Sequence, residues 1–404
     1  MAKADGHNEQ CTMDNVQWKK VRFDDFFSML PTNTLSRDKL NSQRGTYQNI
    51  HYGDVLIKYP FCLDCDKYDI PYINDDVKFN ATEVKDGDVI FADTAEDDTV
   101  GKCVEVLNVG DRKIVSGLHT YFCRPKYKLA LGYLGYFLNS NHFHDQLLPY
   151  IAGSKVSSVN RTSIACTYIS YPDSLPAQRR IAAILSAADK VIEQTRQLIG
   201  KYKSIKQGMI EDLLKPKEGW KKVKLGEVGE IVTGSTPTTT KLEYWDGEYN
   251  FYSPADFDDN VYCTKTDRTI TKAGLKTGRP IPANSIMVAC IASIGKIAIN
   301  RTEGITNQQI NTIIPNNEYD FLFLYYLLLF NVEKIKGKAA QTTIPIINKE
   351  DFSNLEFRVP DLDEQNRIAS ILLSLDEKIA AEQLVEEKHI EIKKGLMDKL
   401  LNEI

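Results

Sequence analysis

The sequence predicts an α+β protein that consists of two β-rich mixed domains, each followed by one long helix, and that contains an internal duplication. Three observations support this prediction. A 37-residue stretch that begins at Gln178 recurs from Gln365, with 14 identities and no gap. The tetrapeptide Trp-Lys-Lys-Val begins at Trp18 and again at Trp220. Between these repeats lie turn-then-strand patterns typical of β structure, and a long repeat at a fixed offset indicates a duplicated unit.

Each copy of the 37-residue stretch is predicted to form one helix. Residues of the first copy recur every seven positions in two lines, which together make a narrow apolar seam. The two lines are Ile181, Ala188, Thr195, Tyr202 and Met209, and Ile184, Val191, Leu198 and Ile205. Pro176 suits a first helical turn, Lys215-Pro216 ends the helix, and Asp361 with Glu364 has the spacing of a capping box. Each helix would be roughly 55 Å long.

The two predicted helices carry opposite net charge, which favours pairing between them. Residues 174–215 contain eight basic and four acidic residues, a net charge of +4. Residues 361–404 contain six basic and eleven acidic residues, a net charge of −5. Opposite charges beside apolar seams suit helices that pack together. The alternative is two unrelated solvated helices, and the shared offset argues against it. The middle of the second copy is polar, so a third helical partner could cover it.

The composition is that of a globular protein with more than one domain. The chain has 404 residues, of which 26% are charged and 42% are hydrophobic, with a net charge of −5. The longest apolar run, residues 321–330, is half of what a bilayer requires, so no membrane span is predicted. Residues 1–15 are polar and lack the apolar centre of a secretion signal, so they are predicted to be a disordered tail. The predicted location is the cytoplasm.

The predicted domains occupy residues 16–173 and 216–360, and their patterns recur in the same order. Strands are predicted within 52–57, 85–91 and 283–289, and helices over 129–139 and 319–331. A Gly-Lys pair follows a predicted strand in each domain, at Gly101-Lys102 and Gly295-Lys296. Polar loops at 153–161 and 341–343 precede the long helices, which are assigned to residues 174–215 and 361–404.

The usual catalytic motifs do not occur in the sequence. GxxxxGK[ST], HExxH, GxSxG and GxGxxG are all missing, as is the Asn-Pro-Pro-Tyr of amino-methyltransferases. The pairs His142/His144, Asp97/Asp98 and Asp258/Asp259 offer too few ligands to favour a metal site over a solvated loop. Cys62-x-x-Cys65 lacks the second pair that zinc needs, so reduced thiols are favoured over a zinc site or a redox pair. A nuclease centre with widely spaced residues stays open.

Two segments carry groups suited to nucleic acid. Residues 233–241 combine several hydroxyls with Lys241, and hydroxyls, backbone N–H groups and lysine commonly donate to phosphate oxygens. The amides of Gln308 and Gln309 could read an adenine edge through two hydrogen bonds. The alternative is an ordinary polar turn beside a strand edge. The net negative charge does not argue against DNA, because it can hide local basic strips.

The motifs and their order resemble the specificity subunit of type I restriction–modification enzymes over nearly the whole chain. The strongest likeness is the repeated helix entry, Leu-Pro-Ala-Gln-Arg-Arg-Ile-Ala from Leu175 and Leu-Asp-Glu-Gln-Asn-Arg-Ile-Ala from Leu362. It is similar to the family signature Pro-Leu-x-Glu-Gln-x-x-Ile-Ala, although Ala177 stands where Glu is usual. Segments such as Gly234-Ser235-Thr236-Pro237, Asn307-Gln308-Gln309 and Gly117-Leu118-His119-Thr120 are similar to target-recognition domains.

The resemblance implies two target-recognition domains separated by two long antiparallel helices in a pseudo-twofold arrangement. Each domain would read one half of a bipartite site in double-stranded DNA, and the helices would set the spacing and dock two modification subunits. The chain itself would be non-catalytic and bind no cofactor. The modification subunits would use S-adenosylmethionine to methylate adenine, and further restriction subunits would use ATP and Mg²⁺ in a bacterial or archaeal cytoplasm.

Two sets of contact residues are predicted on this basis. Residues predicted to bind DNA are Tyr47, Asn49, His51, Lys102, His119, Lys155, Ser157, Arg161, Ser235, Thr236, Thr238, Lys241, Lys296, Gln308, Gln309, Thr342 and Thr343. Residues predicted to bind partner subunits are Ile181, Leu185, Ile192, Ile368, Leu372, Ile379, Glu386 and Glu387. Two other functions remain as alternatives, a stand-alone nuclease with fused recognition domains and a coiled-coil scaffold that binds only protein.

Overall fold

The same arrangement of strands is built twice along the chain. The computed structural model describes residues 17–97, 99–153, 156–339 and 345–402. These residues form two units. Unit 1 draws on Met1–Gln194 and Glu386–Ile404, and unit 2 is Thr195–Val385. The tail predicted for residues 1–15 lies outside the described residues.

Unit 1 is organised around a five-stranded sheet in the order β2-β11-β7-β9-β5 and a smaller sheet in the order β10-β4-β6-β3. Its strands are β1 Trp18–Arg22, β2 Phe27–Leu30, β3 Leu40–Asn41, β4 Gln48–Ile50, β5 Cys62–Asp64, β6 Tyr72–Ile73, β7 Val89–Ala92, β8 Thr94–Ala95, β9 Cys103–Leu107, β10 Ile114–Ser116, β11 Thr120–Pro125, β12 Ser157–Ser158 and β13 Tyr168–Pro172. Its short helices are α1 Phe23–Phe26, α2 Tyr52–Ile57, α3 Tyr133–Phe137, α4 Asn141–Leu147 and α5 Arg161–Ala165, and the long helix α6 Leu175–Leu214 follows.

Unit 2 has a five-stranded sheet in the order β15-β22-β19-β20-β17 and a smaller sheet in the order β18-β16-β21. Its strands are β14 Lys221–Lys224, β15 Gly229–Thr233, β16 Trp245–Tyr252, β17 Tyr262–Cys263, β18 Arg268–Ile270, β19 Ile286–Ala289, β20 Ile297–Asn300, β21 Gly304–Thr306, β22 Ile310–Pro315 and β23 Glu356–Val359. Its short helices are α7 Lys272–Thr277, α8 Phe321–Phe330, α9 Val332–Lys336 and α10 Lys349–Ser353, and the second long helix is α11 Leu362–Leu401.

The two five-stranded sheets correspond strand by strand. Each has three antiparallel pairings and one parallel pairing at the same edge, β5 with β9 and β17 with β20. A parallel pair also recurs in the smaller sheets, β4 with β10 and β16 with β21. Each unit also pairs its first strand with its last, β1 with β13 and β14 with β23. The duplicated α+β architecture predicted from the sequence is therefore confirmed.

One predicted strand is wrong. Residues 52–57 were expected to form a strand, but they form the helix α2. His51 precedes the helix, and its Nδ1 accepts a hydrogen bond from Gly53 N at 3.2 Å. The carboxylate of Asp54 in the first turn pairs with Arg37, with Nη1–Oδ2 and Nη2–Oδ1 distances of 2.8 and 2.9 Å. A capping side chain and an acidic residue in the first turn stabilise a helix, which a short apolar pattern does not reveal.

The ends of the long helices follow local signals in the sequence. α6 ends at Leu214, immediately before Lys215-Pro216. At the start of α11, Asp361 Oδ1 accepts a hydrogen bond from Glu364 N at 2.9 Å. The Glu364 carboxylate binds Arg367 of the same helix. Asp361 is thus the cap that the spacing predicts.

The predicted seam of α6 is half correct. Ile181 and Thr195 of the first line are 0% and 8% exposed, as a seam requires. In the second line, Val191 and Ile205 are 41% and 49% exposed, and the residues buried in the seam are instead those that follow Ile184, Val191 and Leu198. Those residues are Leu185, Ile192 and Ile199, which are 0%, 6% and 7% exposed. At 184/185, 191/192 and 198/199 the sequence has apolar residues both three and four positions after the first line, so periodicity could not choose between them.

Within each unit the long helices run antiparallel and meet at a repeated ion pair. In unit 1, Lys393 Nζ lies 2.5 Å from Asp189 Oδ1, and Tyr136 donates its hydroxyl to Asp189 Oδ2 at 2.8 Å. In unit 2, Lys206 Nζ lies 2.5 Å from Asp376 Oδ1, and Tyr326 donates to Asp376 Oδ2 at 2.7 Å. Asp376 is the repeat of Asp189, and Lys393 is the repeat of Lys206. Each helix therefore supplies an aspartate in one unit and a lysine in the other.

Six apolar side chains predicted to bind partner subunits are buried within the chain, so that part of the prediction is wrong. Ile181, Leu185, Ile192, Ile368, Leu372 and Ile379 are between 0% and 7% exposed. Ile181 and Leu185 pack in one cluster with Met397 and Leu401 of α11. Ile368 and Leu372 pack with Ile210 and Leu214 of α6. The apolar seams of the two long helices are therefore already buried by contacts within the chain. Glu387 is exposed and Glu386 is half-buried.

Glu105 of β9 is a buried acid that should make unit 1 sensitive to pH. Its carboxylate is 1% exposed and accepts hydrogen bonds from Gly132 N and Gly135 N, both at 2.8 Å. Burial raises the pKa of Glu105 to about 7, although these two hydrogen bonds act in the opposite direction. The folded state therefore holds the proton more tightly than the unfolded chain does.

The free energy of unfolding is expected to fall by about 3 kcal/mol as the pH rises from about 5 to about 8. The reason is that the proton on the Glu105 carboxyl group stabilises the folded state, and this proton is lost as the pH passes the pKa that the group has in the folded state. Urea unfolding at several pH values measures this slope. Glu105→Gln, which cannot titrate, should flatten the slope relative to the wild type. Equal slopes in the two proteins would show that Glu105 is not the titrating group.

Candidate nucleic-acid interface

The same end of each five-stranded sheet gathers the loops that carry most of the predicted DNA contacts. In unit 1, β11 begins beside the ends of β2 and β7, since Thr120 pairs with Ala92 and Phe122 with Leu30. In unit 2, β22 begins beside the ends of β15 and β19, since Ile310 pairs with Ala289 and Asn311 with Thr233. The turn before β11 or β22 therefore lies next to the loop that leaves β2 or β15. We call this place the reading corner of each unit.

The reading corner of unit 1 rests on buried amides. Asn33 N donates to Ser116 O at 2.9 Å, and Asn33 Nδ2 donates to Asn49 Oδ1 at 2.7 Å. Asn49 is 0% exposed, so the prediction that it contacts DNA is wrong. Its Nδ2 has no hydrogen-bond partner among the described residues. A Cβ at Gly117 would lie 2.5 Å from that nitrogen, so only glycine fits above it. Asn49 therefore supports the corner from below.

Two other predicted DNA contacts of unit 1 also act inside the protein. His51 is 6% exposed and caps α2, and burial lowers the pKa of its imidazole, with Arg37 nearby acting in the same direction. Lys102 Nζ donates to the backbone oxygen of Leu56 at 2.6 Å, and burial lowers the pKa of this amine. Both groups hold α2 in place, so neither is available for DNA as predicted.

His119 is the predicted contact that the structure presents to solvent at this corner. Its side chain is 49% exposed, and Nδ1 lies 3.3 Å from Asp93 Oδ1. The backbone of His119 has a φ of +53°, which is uncommon outside glycine. Its ring packs edge-on against Tyr52, with centroids 5.4 Å apart. A strained backbone together with an oriented, exposed side chain is typical of functional positions.

The reading corner of unit 2 repeats a backbone hydrogen bond of unit 1 but carries different side chains. Ser235 N donates to Thr306 O at 2.8 Å, which repeats the bond between Asn33 and Ser116. The hydroxyl of Thr236 donates to Gln308 Oε1 at 2.6 Å. Asn307 Nδ2 donates to Gln309 Oε1 at 2.9 Å, while Asn307 Oδ1 accepts from Gln309 N at 3.0 Å. The side-chain oxygens of Gln308 and Gln309 both already accept hydrogen bonds within the protein. In this structure, therefore, neither amide is free to form the two hydrogen bonds to adenine that the sequence suggests.

The hydroxyl loop of unit 2 is bordered by exposed cations. Thr236, Thr238 and Lys241 are exposed, as a phosphate-binding loop requires, whereas the Ser235 hydroxyl is buried without a partner among the described residues. Trp245 Nε1 donates to Thr238 O at 3.3 Å and so anchors the loop. Two exposed arginines were missed by the sequence-based prediction. Arg268 stacks on the Trp245 ring, and Arg279 donates to Thr233 O at 2.6 Å.

Lys296 repeats the structural contact made by Lys102. Its Nζ lies 3.3 Å from Pro254 O and 3.4 Å from Phe257 O, in the segment that follows β16 as α2 follows β4. The glycine before each lysine has a positive φ, +86° at Gly101 and +91° at Gly295. The two Gly-Lys pairs therefore fasten a loop to the sheet in each unit, and the side chain of Lys296 is exposed, so its contact with DNA stays a prediction.

The remaining predicted DNA contacts lie elsewhere in unit 1 or outside the described residues. Ser157 pairs with Ala95, and Arg161 is exposed at the first position of α5. Tyr47 is half-buried against Phe79, with Lys113 Nζ 5.4 Å from the centre of its ring. Lys155, Thr342 and Thr343 lie outside the described residues. The sequence-based prediction did not include Asp93 and Asn307, which contact His119 and Gln309. Their roles could not be predicted because they depend on which residues lie beside them in the folded protein.

Other candidate sites in the sequence can be placed in the structure. Across residues 17–97, 99–153, 156–339 and 345–402, no three His, Cys, Asp or Glu side chains come together in a way that could hold a metal ion. Cys62 and Cys65 are free thiols, and burial raises the pKa of both. In the same part of the chain, no helix is long and apolar enough to cross a membrane.

The chain belongs to the type I restriction modification DNA specificity domain family, whose model matches residues 15–201 and 217–393. The family model thus matches twice, once per unit of the duplication. The predicted resemblance to type I specificity subunits is confirmed.

Named relatives are specificity subunits of type I restriction enzymes. The HindI subunit of Haemophilus influenzae is 30% identical over 189 residues, which are 46% of this chain and 41% of that protein. The putative MjaX subunit of Methanocaldococcus jannaschii is 26% identical over 342 residues, 78% of this chain and 77% of that protein. This chain spans 41% and 40% of the HindI and MjaIX subunits that it matches.

A solved structure shares the fold over nearly the whole length. The type I restriction–modification S subunit from M. genitalium superposes with a TM-score of 0.59 at 16% identity, and covers 97% of this chain and 98% of that one. A second solved structure, from work on complex assembly and conformational transition of the type I R-M system, gives the same TM-score at 17% identity. The match covers 96% of this chain and 99% of that one. At this identity the likeness concerns the fold alone.

Proposed function

We propose that each unit of this chain reads one half of a bipartite target in double-stranded DNA. The observation that supports this proposal is that equivalent positions at the two reading corners have different side chains. His119 in unit 1 stands where unit 2 has Gln309. A shared frame with exchanged side chains suits two readers of different sequences, because side-chain contacts to base edges carry specificity.

The long helices would set the distance between the two half-sites and hold the modification subunits. Each has 40 residues, which corresponds to roughly 60 Å at 1.5 Å per residue. Their shared seam is buried, so two modification subunits would bind the outward surfaces, including the one that carries Glu386 and Glu387. In this arrangement the chain contributes recognition, and adenine methylation with S-adenosylmethionine belongs to the partners. A restriction subunit with ATP and Mg²⁺ would complete the system.

Expression of the chain with its modification subunit is expected to methylate adenine in a single discontinuous motif, made of two halves at a fixed separation. The physical reason is that helices of fixed length between two readers would favour one separation of the half-sites. Long-read sequencing of N6-methyladenine in a host without other methylases measures the motif. Cells with the modification subunit alone serve as the control.

A methylome that lacks any two-part motif would contradict the proposal. Cleavage of DNA by the pure chain in Mg²⁺ would favour a stand-alone nuclease instead. An affinity for DNA that does not fall with added salt would favour a protein-binding scaffold, since phosphate contacts make binding strongly dependent on salt.

A further inference from the structure

We propose that His119 and Gln309 are equivalent base-reading residues of opposite hydrogen-bonding polarity, His119 accepting from one half-site and Gln309 donating to the other. This inference rests on the proposed function and deepens it by naming the kind of base edge that each half contains. The inference depends on the contacts that each of these two side chains makes with a neighbouring residue of the protein.

The two residues occupy the same place in their units. Each is the last residue before the second strand in the order of the five-stranded sheet, β11 or β22. The backbone oxygen of each accepts a hydrogen bond from the residue after the neighbouring strand, from Asp93 N at 3.2 Å in unit 1 and from Cys290 N at 2.7 Å in unit 2. Their backbone oxygens are therefore anchored in the same way, although the backbone of His119 has a positive φ of +53° and that of Gln309 does not.

In unit 1, Asp93 lies beside Nδ1 of His119, so the two ring nitrogens have different surroundings. A carboxylate oxygen 3.3 Å from Nδ1 favours a proton on that nitrogen. Nε2 of the neutral ring is then a hydrogen-bond acceptor on the side away from Asp93, and the ring is half exposed. In the major groove, the complementary donors are the amino groups of cytosine N4 and adenine N6.

In unit 2, Asn307 determines the orientation of Gln309. Asn307 Oδ1 accepts from the backbone N–H of Gln309, which leaves Asn307 Nδ2 to donate to Gln309 Oε1. The oxygen of Gln309 is thereby occupied and its Nε2 points elsewhere. Within the described part of the chain, this nitrogen has no hydrogen-bond acceptor. It is a donor suited to guanine O6 and N7 or thymine O4.

The test uses the full chain purified with its modification subunits to select from a pool of random duplex DNA. His119→Ala should remove the preference for cytosine or adenine at one position of one half-site, with about a tenfold loss of discrimination there. Asp93→Asn should weaken the preference at that same position, which a merely structural role of Asp93 would not do. All other positions should keep their preferences.

Gln309→Glu tests the opposite polarity in the other half-site. Asn307 can still donate to one carboxylate oxygen, so the other oxygen would face DNA as an acceptor in place of the donor. The preferred base at one position should change from guanine or thymine to cytosine, with about a tenfold reversal of preference. Gln17→Glu adds the same charge at an exposed glutamine before β1 and should leave the motif unchanged.

Three outcomes would overturn the inference. If the variants lower affinity equally for all sequences, the two residues contact only the DNA backbone. If the variants alter several positions or both half-sites, they disturb the fold of the corner rather than one base contact. If the wild-type assembly selects no sequence at all, the proposed function itself fails, and this result is distinguishable because it does not involve the variants.

Discussion

Replacement of Asp376 by alanine should lower the free energy of unfolding of unit 2 by about 3 kcal/mol, because removal of one member of a mostly buried ion pair leaves the other charge without a partner. The side chains of Lys206 and Asp376 are only 19% and 16% exposed. The hydroxyl of Tyr326 would also lose its acceptor. Urea unfolding followed by fluorescence of Trp220, which is 9% exposed in the core of this unit, measures the effect.

A matched control is available on the next residue of the same helix. Glu377 is exposed, and Glu377→Ala should change the free energy of unfolding by no more than about 0.5 kcal/mol. Lys206→Ala and the double variant complete a mutant cycle with Asp376→Ala, in which a clear coupling energy is expected. Additive losses in the double variant would mean that Lys206 and Asp376 contribute independently. The same cycle in unit 1 uses Asp189 and Lys393.

Replacement of Gln365 by alanine should lower the free energy of unfolding by about 3 kcal/mol, because it leaves two buried backbone groups without partners. Gln365 is 1% exposed, its Oε1 accepts from Asp320 N at 3.0 Å, and its Nε2 donates to Pro360 O at 3.0 Å. Asp320 caps α8 through a 2.7 Å bond from Phe323 N. Gln365 thus joins the start of α11 to the start of α8, and thermal or urea unfolding reports its loss.

Gln178 provides an independent repeat of this experiment. Its Oε1 accepts from Ala130 N at 2.8 Å, its Nε2 donates to Pro172 O at 2.7 Å, and the side chain is 1% exposed. Gln178→Ala should destabilise unit 1 to a similar extent. Asn366→Ala, at an exposed neighbour of Gln365, is the control. A loss no larger than the control's would show that the bridging amide is dispensable.

These contacts give a physical meaning to part of the repeated sequence. Gln178/Gln365 and Asp189/Asp376 are identical between the copies because each pair performs the same task in its own unit. Lys206 and Lys393 are the matching cations. The repeat that first indicated a duplication therefore records the residues that join each long helix to a recognition unit, and the less similar corners record what each unit would read.

The sequence was most informative where the structure depends on local signals. Pro216 and Asp361 define helix ends through backbone chemistry that is visible in the sequence alone. The seam of α6 was less accessible, because Val191 and Ile192 are adjacent apolar residues and only the position of the partner helix decides which is buried. Tyr52–Ile57 was assigned to a strand because six residues are too few to show a helical period.

The candidate site was predicted at the level of segments more than of single residues. Asn49, His51 and Lys102 are polar groups beside the reading corner, and polarity alone suggested contact with DNA. The structure shows that they satisfy hydrogen bonds inside the protein, as most buried polar groups do. His119 differs from them through its exposure. His119 and Gln309 also have partners that become neighbours only after folding, which spacing along the chain cannot reveal.

The division of α11 between the units has a consequence for synthesis of the chain on the ribosome. Unit 2 is one continuous stretch, Thr195–Val385, whereas unit 1 also requires residues from Glu386 onward. Met397 and Leu401, which are 7% and 0% exposed, complete the hydrophobic cluster of unit 1. Translation proceeds at about 5–20 residues per second, so roughly ten seconds or more pass between synthesis of the N-terminal part of unit 1 and synthesis of these two side chains. Unit 2 can therefore finish folding first, and a transcript cut short by some twenty codons would leave the earlier half exposed.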